Sequence, residues 1–138
     1  MSQNAAQVGE DFQADVKSYR LLHQENFEIV EVLTESSQAI IFIGKLKNLT
    51  NLIETDRKYV EDQHVVLKQY RLKKERAGFK RDLKILKKIK SLDLDENGGF
   101  PRIISAKMSH ALGEILMSYA GPDIYDTYDI AKSLEDSS

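Results

Sequence analysis

The stretch "QHVVLKQYRL", residues 63–72, sets a single lysine inside a run of apolar residues. The β-branched and bulky side chains around that lysine predict a β-strand, which we place at 64–70. Lysine is almost never fully buried unless its charge is paired. The rest of the chain therefore has to supply a partner for Lys68, unless this strand lies at a sheet edge where the ammonium group can extend to solvent.

The composition is that of a single soluble globular domain. The chain has 138 residues, of which 41% are hydrophobic and 30% are charged. It has no cysteine, which excludes disulfides, thiolate metal sites and a cysteine nucleophile, and its three histidines lack the spacing of metal ligands. The N-terminus lacks the features of a secretory signal, and the longest apolar run, at 39–44, is too short to span a bilayer. We therefore expect a cytoplasmic protein without a metal site.

The formal net charge of −2 conceals an uneven distribution. Residues 71–92 contain ten Lys or Arg against Glu75 and Asp82, a charge of +8, so the rest of the chain has ten Lys or Arg against twenty acidic residues, a charge of −10. A helix with such a basic face can bind an anionic membrane, a nucleic acid or an acidic protein, or can simply be solvated. Phe79 is its only aromatic residue, which argues against stacking on single-stranded nucleic acid.

Apolar spacing in the remaining sequence predicts an α+β fold. Strands at 27–33 and 39–46 form a hairpin ahead of the Lys68 strand, and strands at 100–108 and 113–120 follow an amphipathic helix at 78–92. We predict a twisted five-stranded antiparallel sheet with one main helix packed on it. The helix residues expected in the core are Phe79, Leu83, Leu86 and Ile89.

This order of elements, with "VVLK" ending at Lys68 just before the helix, resembles the N-terminal lobe of a protein kinase. The stretches "GGFPRI" and "ILMSYAGPDIYD", in which Gly-Pro follows the hinge, are similar to the casein-kinase branch of that family. The resemblance covers residues 27–128. Residues 1–26 would be a polar, partly disordered extension, and residues 129–138 the start of a helix or a frayed tail.

The resemblance implies that the lysine of the third strand holds the nucleotide phosphates and pairs with a carboxylate of the helix. Lys68 and Asp82 lie at these two positions. Because the family has glutamate where Asp82 stands, and aspartate is one methylene shorter, the pair would be strained or bridged by water. Asp82 could instead pair with neighbouring lysines on the basic helix.

The resemblance also implies which residues would surround ATP. Leu33 and Ile41 would cover the adenine ring, Val66 would narrow its slot, and Met117 would be the gatekeeper. The remaining implied contacts are the hinge backbone at Ser118 and Ala120, and the loop residues Ser36 and Ala39.

The phosphate-binding loop departs from the family. Its three glycine positions are occupied by Thr34, Ser36 and Ala39, and none is glycine. Glycine allows backbone amides to approach a phosphate closely. We therefore expect a stiffer loop and weak ATP binding.

The sequence has no His-Arg-Asp loop and no Asp-Phe-Gly segment, which supply the family's base and magnesium ligands. It thus resembles an N-lobe without its C-lobe, either a truncated gene product or a piece of a longer kinase. Magnesium is expected only with a C-lobe, and the expected partners are a nucleotide and either a protein or that missing lobe. Two functions follow: an ATP-binding N-lobe of a serine/threonine protein-kinase-like protein, and a non-catalytic, pseudokinase-like interaction module that uses its basic helix.

Overall fold

The computed structural model describes residues 19–50, 52–60, 64–92 and 100–119. Its strands form one sheet in the order β1-β2-β3-β5-β4, and every neighbouring pair is antiparallel. The α+β fold and the single main helix are thereby confirmed. The elements are β1 (Phe27–Glu35), β2 (Ala39–Leu46), α1 (Glu54–Val60), β3 (Val65–Arg71), α2 (Leu72–Ser91), β4 (Ile103–Met108) and β5 (Leu112–Ser118).

The middle strand, β3, is buried on both faces. Val66 and Tyr70 belong to the apolar cluster beneath α2, whereas Val65 and Leu67 belong to a second cluster on the opposite face. Because successive side chains of a strand point to opposite faces of the sheet, Lys68 lies on the α2 face with Val66 and Tyr70. An edge position for Lys68, the alternative left open by the sequence, is excluded.

Helix α2 covers one face of the sheet with the predicted apolar side chains. Phe79, Leu86 and Ile89 are buried, and Leu83 is partly buried against the same cluster. Leu92, which follows the last helical residue, is 54% exposed. The core expected from the helical spacing is therefore confirmed.

The start of α2 differs from the prediction. The helix begins at Leu72, six residues before Gly78, and is interrupted at Glu75, whose φ of −136° and ψ of 32° are not helical. Leu72 is buried, and its N–H donates to the carbonyl of Ala111 at 3.0 Å. The chain therefore turns directly from β3 into a short first segment, and the long amphipathic part follows the kink.

The limits of several strands also differ from the predictions. β1 extends to Glu35, so the turn to β2 has three residues rather than five. β4 begins at Ile103 because the N–H of Arg102 donates to the side-chain oxygen of Ser118, at 2.8 Å, rather than to a strand carbonyl. The end predicted for the last strand, residue 120, lies outside the described residues, and β5 ends at Ser118.

Helix α1 was not predicted, because the sequence there looked like a polar connection. It has only seven residues, and the buried side chains among those described in it, Asp56 and Val60, include a charged one. A helix this short, with a charged residue on its buried face, shows no helical repeat of apolar residues in the sequence. In the part of the chain that the structure describes, no helix has both the length and the apolar run required to cross a bilayer.

Candidate functional site

Lys68 and Asp82 form a direct ion pair between β3 and α2. The Lys68 Nζ lies 3.2 Å from Asp82 Oδ2, the Asp82 side chain is 1% exposed and that of Lys68 is 16% exposed. The alternative that water bridges this pair is therefore wrong, because the two side chains are in direct contact. Gly113 of β5 explains the close approach, since a Cβ there would lie 2.7 Å from the ring of Phe79. Without that Cβ, Phe79 rests directly on the sheet and brings α2 close to β3.

Tyr70 is a second partner of Asp82. Its hydroxyl donates to Asp82 Oδ2 at 2.6 Å, and its ring packs edge-on against Phe79 with centroids 5.2 Å apart. Burial, and then the negative charge of Asp82, raise the pKa of Tyr70 well above its usual value, so the phenol remains a donor. The ammonium group of Lys68 also lies 4.9 Å from the centre of this ring, a cation–π distance.

Arg81 completes the pairing of Asp82 from the solvent side. Its Nε donates to Asp82 Oδ1 at 3.3 Å, and its side chain is half exposed. Three donors therefore hold a carboxylate that has almost no contact with water. The sequence analysis identified Lys68 but not Tyr70 or Arg81. The sequence could have identified Tyr70 as a site residue. It lies two residues after Lys68, and this spacing places both side chains on the same face of a strand.

A cavity of about 270 Å³ opens beside this ion pair. Its volume is just below the roughly 300–1,000 Å³ typical of small-molecule sites. It brings together five of the residues that the resemblance placed at ATP, and Thr34, which stands at a glycine position of the loop. The full lining is Thr34, Ser36, Gln38, Ala39, Ile41, Lys68, Tyr70, Glu75, Arg81 and Asp82.

The residues expected around adenine are more scattered. Val66 and Met117 face each other across β3 and β5 and are fully buried in the core, and the side chain of Ser118 accepts the N–H of Arg102. Leu33 is 39% exposed on β1 and does not line the cavity, whereas Ala120 lies outside the described residues. Of the residues expected around adenine, the cavity lining includes Ile41.

The turn between β1 and β2 is closed by its own hydrogen bonds. The N–H of Ser36 donates to the carbonyl of Ala39 at 2.9 Å, and Ser36 Oγ accepts the N–H groups of Gln38 and Ala39 at 3.2 and 3.1 Å. The N–H of Arg71 then donates to the carbonyl of Gln38 at 2.9 Å. The N–H groups of Ser36, Gln38 and Ala39 are thus already occupied by acceptors within the turn.

The charges of the cavity cancel. Lys68 and Arg81 oppose Glu75 and Asp82 among the lining residues. The attraction of an anion to this cavity would therefore depend on where the two cations lie, because the cavity has no net positive charge. Within the described ranges, no group of three or more acidic or histidine side chains could hold a metal ion.

A separate charged cluster braces the end of the sheet where the resemblance places the hinge. Asp56 of α1 is 5% exposed, and its Oδ1 accepts from Arg102 Nε at 2.7 Å and lies 3.5 Å from Lys90 Nζ. Lys90 also donates to the carbonyl of Ile103 at 3.4 Å. The last turn of α2, the helix α1 and the start of β4 are thereby joined through one carboxylate.

No protein-family model matches this sequence, and comparison with curated proteins finds no match either. The class of the protein therefore rests on its geometry. It is an α+β protein with an open five-stranded antiparallel sheet, one main helix and a buried lysine–aspartate pair beside a cavity. This fold is compatible with that of a protein-kinase N-lobe.

Proposed function

We propose that this chain is the ATP-binding N-lobe of a serine/threonine protein-kinase-like protein, related to the casein-kinase branch. The observation that carries the proposal is the ion pair of Lys68 and Asp82, which joins the middle strand to α2 beside a cavity. A lysine held in place by a carboxylate keeps its other N–H groups directed at phosphate oxygens. The Gly-Pro of the casein-kinase resemblance, at 121–122, lies outside the described residues.

In this proposal the phosphates of ATP enter the cavity and contact Lys68 and Arg81, while Ile41 lies at the edge of the base. The closed turn at Ser36 keeps the loop amides from the phosphates, so affinity is weak. The residues that activate the acceptor hydroxyl and hold magnesium in the kinase family have no counterpart in this sequence. We therefore expect phosphate transfer only when a C-lobe supplies them.

Calorimetric titration with ATP tests the proposal. Replacing Lys68 with methionine removes a charge-assisted hydrogen bond, which we expect to weaken binding about 10- to 100-fold. The matched control is Lys45→Met, which removes an exposed lysine from β2, away from the cavity lining. Equal ATP affinity in wild type and folded Lys68→Met protein would show that Lys68 does not contact ATP, and would contradict the proposal.

A specific observation also favours the alternative, a non-catalytic interaction module. The Ser36 hydroxyl and the Ala39 carbonyl occupy the amides that a nucleotide phosphate would need. Folded wild-type protein that gives no heat with ATP at millimolar concentration would favour this alternative over nucleotide binding. The buried pair of Lys68 and Asp82 would then serve only to hold α2 on the sheet.

A further inference from the structure

Three polar side chains from separate segments contact one another on the sheet face opposite α2. His23 precedes β1, Ser105 lies on β4 and Glu114 lies on β5. His23 Nδ1 is 2.9 Å from Glu114 Oε1, and His23 Nε2 is 3.0 Å from Ser105 Oγ. A carboxylate, an imidazole and a hydroxyl in this order form the arrangement with which unrelated folds activate a serine nucleophile.

The charge of Glu114 determines which nitrogen of His23 carries the proton. Although burial alone would raise the pKa of Glu114, hydrogen bonds from His23 and Gln69 lower it below its usual value, so the carboxyl is ionised at neutral pH. An ionised carboxylate only accepts hydrogen bonds, which assigns the proton of a neutral imidazole to Nδ1. His23 Nε2 is then an acceptor, and Ser105 Oγ donates its proton to it.

The imidazole ring is held in this position by the backbone on both sides of it. The N–H of His23 donates to Glu114 Oε1 at 2.9 Å, and the carbonyl of His23 accepts the N–H of Phe27 at 2.9 Å. Lys107 Nζ of β4 donates to the carbonyl of Leu22 at 3.3 Å. A base that is fixed before the reaction avoids the entropic cost of aligning it with the nucleophile.

Ser105 is the member of this group that solvent reaches most easily. It is half-buried, whereas His23 is 3% exposed and Glu114 is fully buried. Among the described strands, β4 is the last of the sheet and pairs with β5 alone, so its other edge is open. The hydroxyl therefore lies near solvent while the imidazole and the carboxylate are shielded from it.

We propose that Ser105, His23 and Glu114 form a second site, which accepts the acyl group of a small activated ester. Ser105 Oγ bonds to the acyl carbon and its proton passes to His23 Nε2. The bond from that carbon to the leaving oxygen then breaks, and His23 gives the proton to that oxygen. Water that His23 deprotonates later releases the acid and regenerates the serine. Glu114 orients the ring and stabilises the imidazolium, so it is a positioning residue.

The place of Ser105 in the fold defines the class of ester. A half-buried hydroxyl at a strand edge has room for a small acyl group. Because that edge is open to water, the oxyanion forms where the dielectric constant is high and stabilisation by the protein is weak. The leaving group must therefore depart easily, as a phenolate does.

Hydrolysis of p-nitrophenyl acetate by the full chain, without nucleotide, tests the proposal. We expect a burst of one p-nitrophenolate per chain followed by slower turnover, and an acetyl group on Ser105 in peptides analysed by mass spectrometry. Ser105→Ala should abolish both the burst and the adduct. The matched control is Ser37→Ala, which removes an exposed serine from the turn between β1 and β2 and should leave both unchanged. Circular dichroism shows whether each variant is folded.

Two further variants test the base and the carboxylate. His23→Gln removes the proton acceptor and should slow the burst about 100-fold. In wild type the burst should become faster as the pH rises and the imidazolium loses its proton. Glu114→Gln removes the negative charge that favours the imidazolium, so this rise should move to lower pH. Lys107, which also contacts this segment, is the same in both proteins. A carboxylate that only held the segment in place would leave the position of the rise unchanged.

Three outcomes would overturn the proposal. An undiminished burst in folded Ser105→Ala protein, or acetyl groups on lysine side chains alone, would show that Ser105 is not the nucleophile. A burst in folded His23→Gln protein as fast as that of wild type would show that the serine reacts without this base. Release of p-nitrophenolate by wild type no faster than in buffer would show that the group is only structural. Because the site lies on the sheet face opposite Lys68, none of these results depends on whether the cavity binds ATP.

Discussion

At the scale of single residues, Asp82 is the most constrained group of the site. It is a buried carboxylate held by Lys68, Tyr70 and Arg81, which are donors of three different kinds. A buried charge is tolerated only when its hydrogen-bonding capacity is met. Lys68 and Tyr70 on β3 and Arg81 on α2 contribute to meeting it. Asp82 therefore joins the helix to the sheet as well as orienting Lys68.

Replacing Asp82 with alanine should lower the free energy of unfolding by about 3 kcal/mol, because it leaves the Lys68 ammonium and the Tyr70 hydroxyl without their acceptor. Urea unfolding followed by circular dichroism measures the change. The matched control is Arg81→Ala, which removes a half-exposed partner and should cost less than about 1 kcal/mol. A loss for Asp82→Ala no larger than that of the control would show that the carboxylate does not hold α2 on the sheet.

At the scale of elements, the contact between α2 and β5 depends on the absence of a side chain. Gly113 lies under the ring of Phe79, and a Cβ there would approach the ring to 2.7 Å. Phe79 is 3% exposed and packs against Tyr70, so it has little room to move. Gly113 therefore lets the ring of Phe79, and with it α2, rest directly on the sheet.

Two glycine-to-alanine substitutions distinguish the contribution of this contact to stability from that of helix propensity. Gly113→Ala should destabilise the protein by about 1–3 kcal/mol, because the added methyl group overpacks against a fixed aromatic ring. The three atoms nearest to a Cβ at Gly78 in α2 all belong to the flexible side chain of Glu75, which can rotate away. Helix propensity then favours Gly78→Ala by up to about 1 kcal/mol. Thermal unfolding should therefore show a lower melting temperature for the first variant only. The reverse order would contradict the role assigned to Gly113.

At the scale of the whole molecule, the sheet face opposite α2 is organised around Glu114, which is fully buried. Its carboxylate accepts the N–H groups of Leu22 and His23, the Nδ1 of His23 and the Nε2 of Gln69, at 2.7–2.9 Å. His23 Nε2 in turn contacts Ser105 Oγ at 3.0 Å. The segment before β1 is thereby held against β3, β4 and β5 by one carboxylate.

This arrangement predicts an acid-dependent stability. Burial alone would raise the pKa of Glu114, but the hydrogen bonds from His23, Gln69 and the Leu22 N–H outweigh it and lower the pKa below its usual value. The Glu114 carboxyl therefore binds a proton more readily in the unfolded chain than in the folded one. The stabilisation from the Glu114 carboxylate is present above the unfolded pKa, about 4.3, and is lost as the pH falls through the folded pKa. The stability difference between wild type and Glu114→Gln should therefore narrow from pH 7 to pH 3. A difference that stays constant across urea titrations at these pH values would contradict this.

The sequence by itself determined the order of the main elements along the chain and the core face of α2. Both depend on periodic spacing, which reflects the geometry of a strand or a helix within a few residues. The pairing of Lys68 with Asp82, by contrast, was implied by the resemblance to a protein-kinase N-lobe.

Only the tertiary structure decided how the polar groups are satisfied. Glu114 meets His23 across 91 residues of sequence, Asp56 meets Arg102 across 46, and the Arg71 N–H closes the turn at Gln38. No local period encodes such contacts, because a buried polar group finds its partner among the segments that packing brings together. For the same reason the sequence left open whether the pair of Lys68 and Asp82 would be strained or bridged by water, whereas the structure shows a direct contact at 3.2 Å.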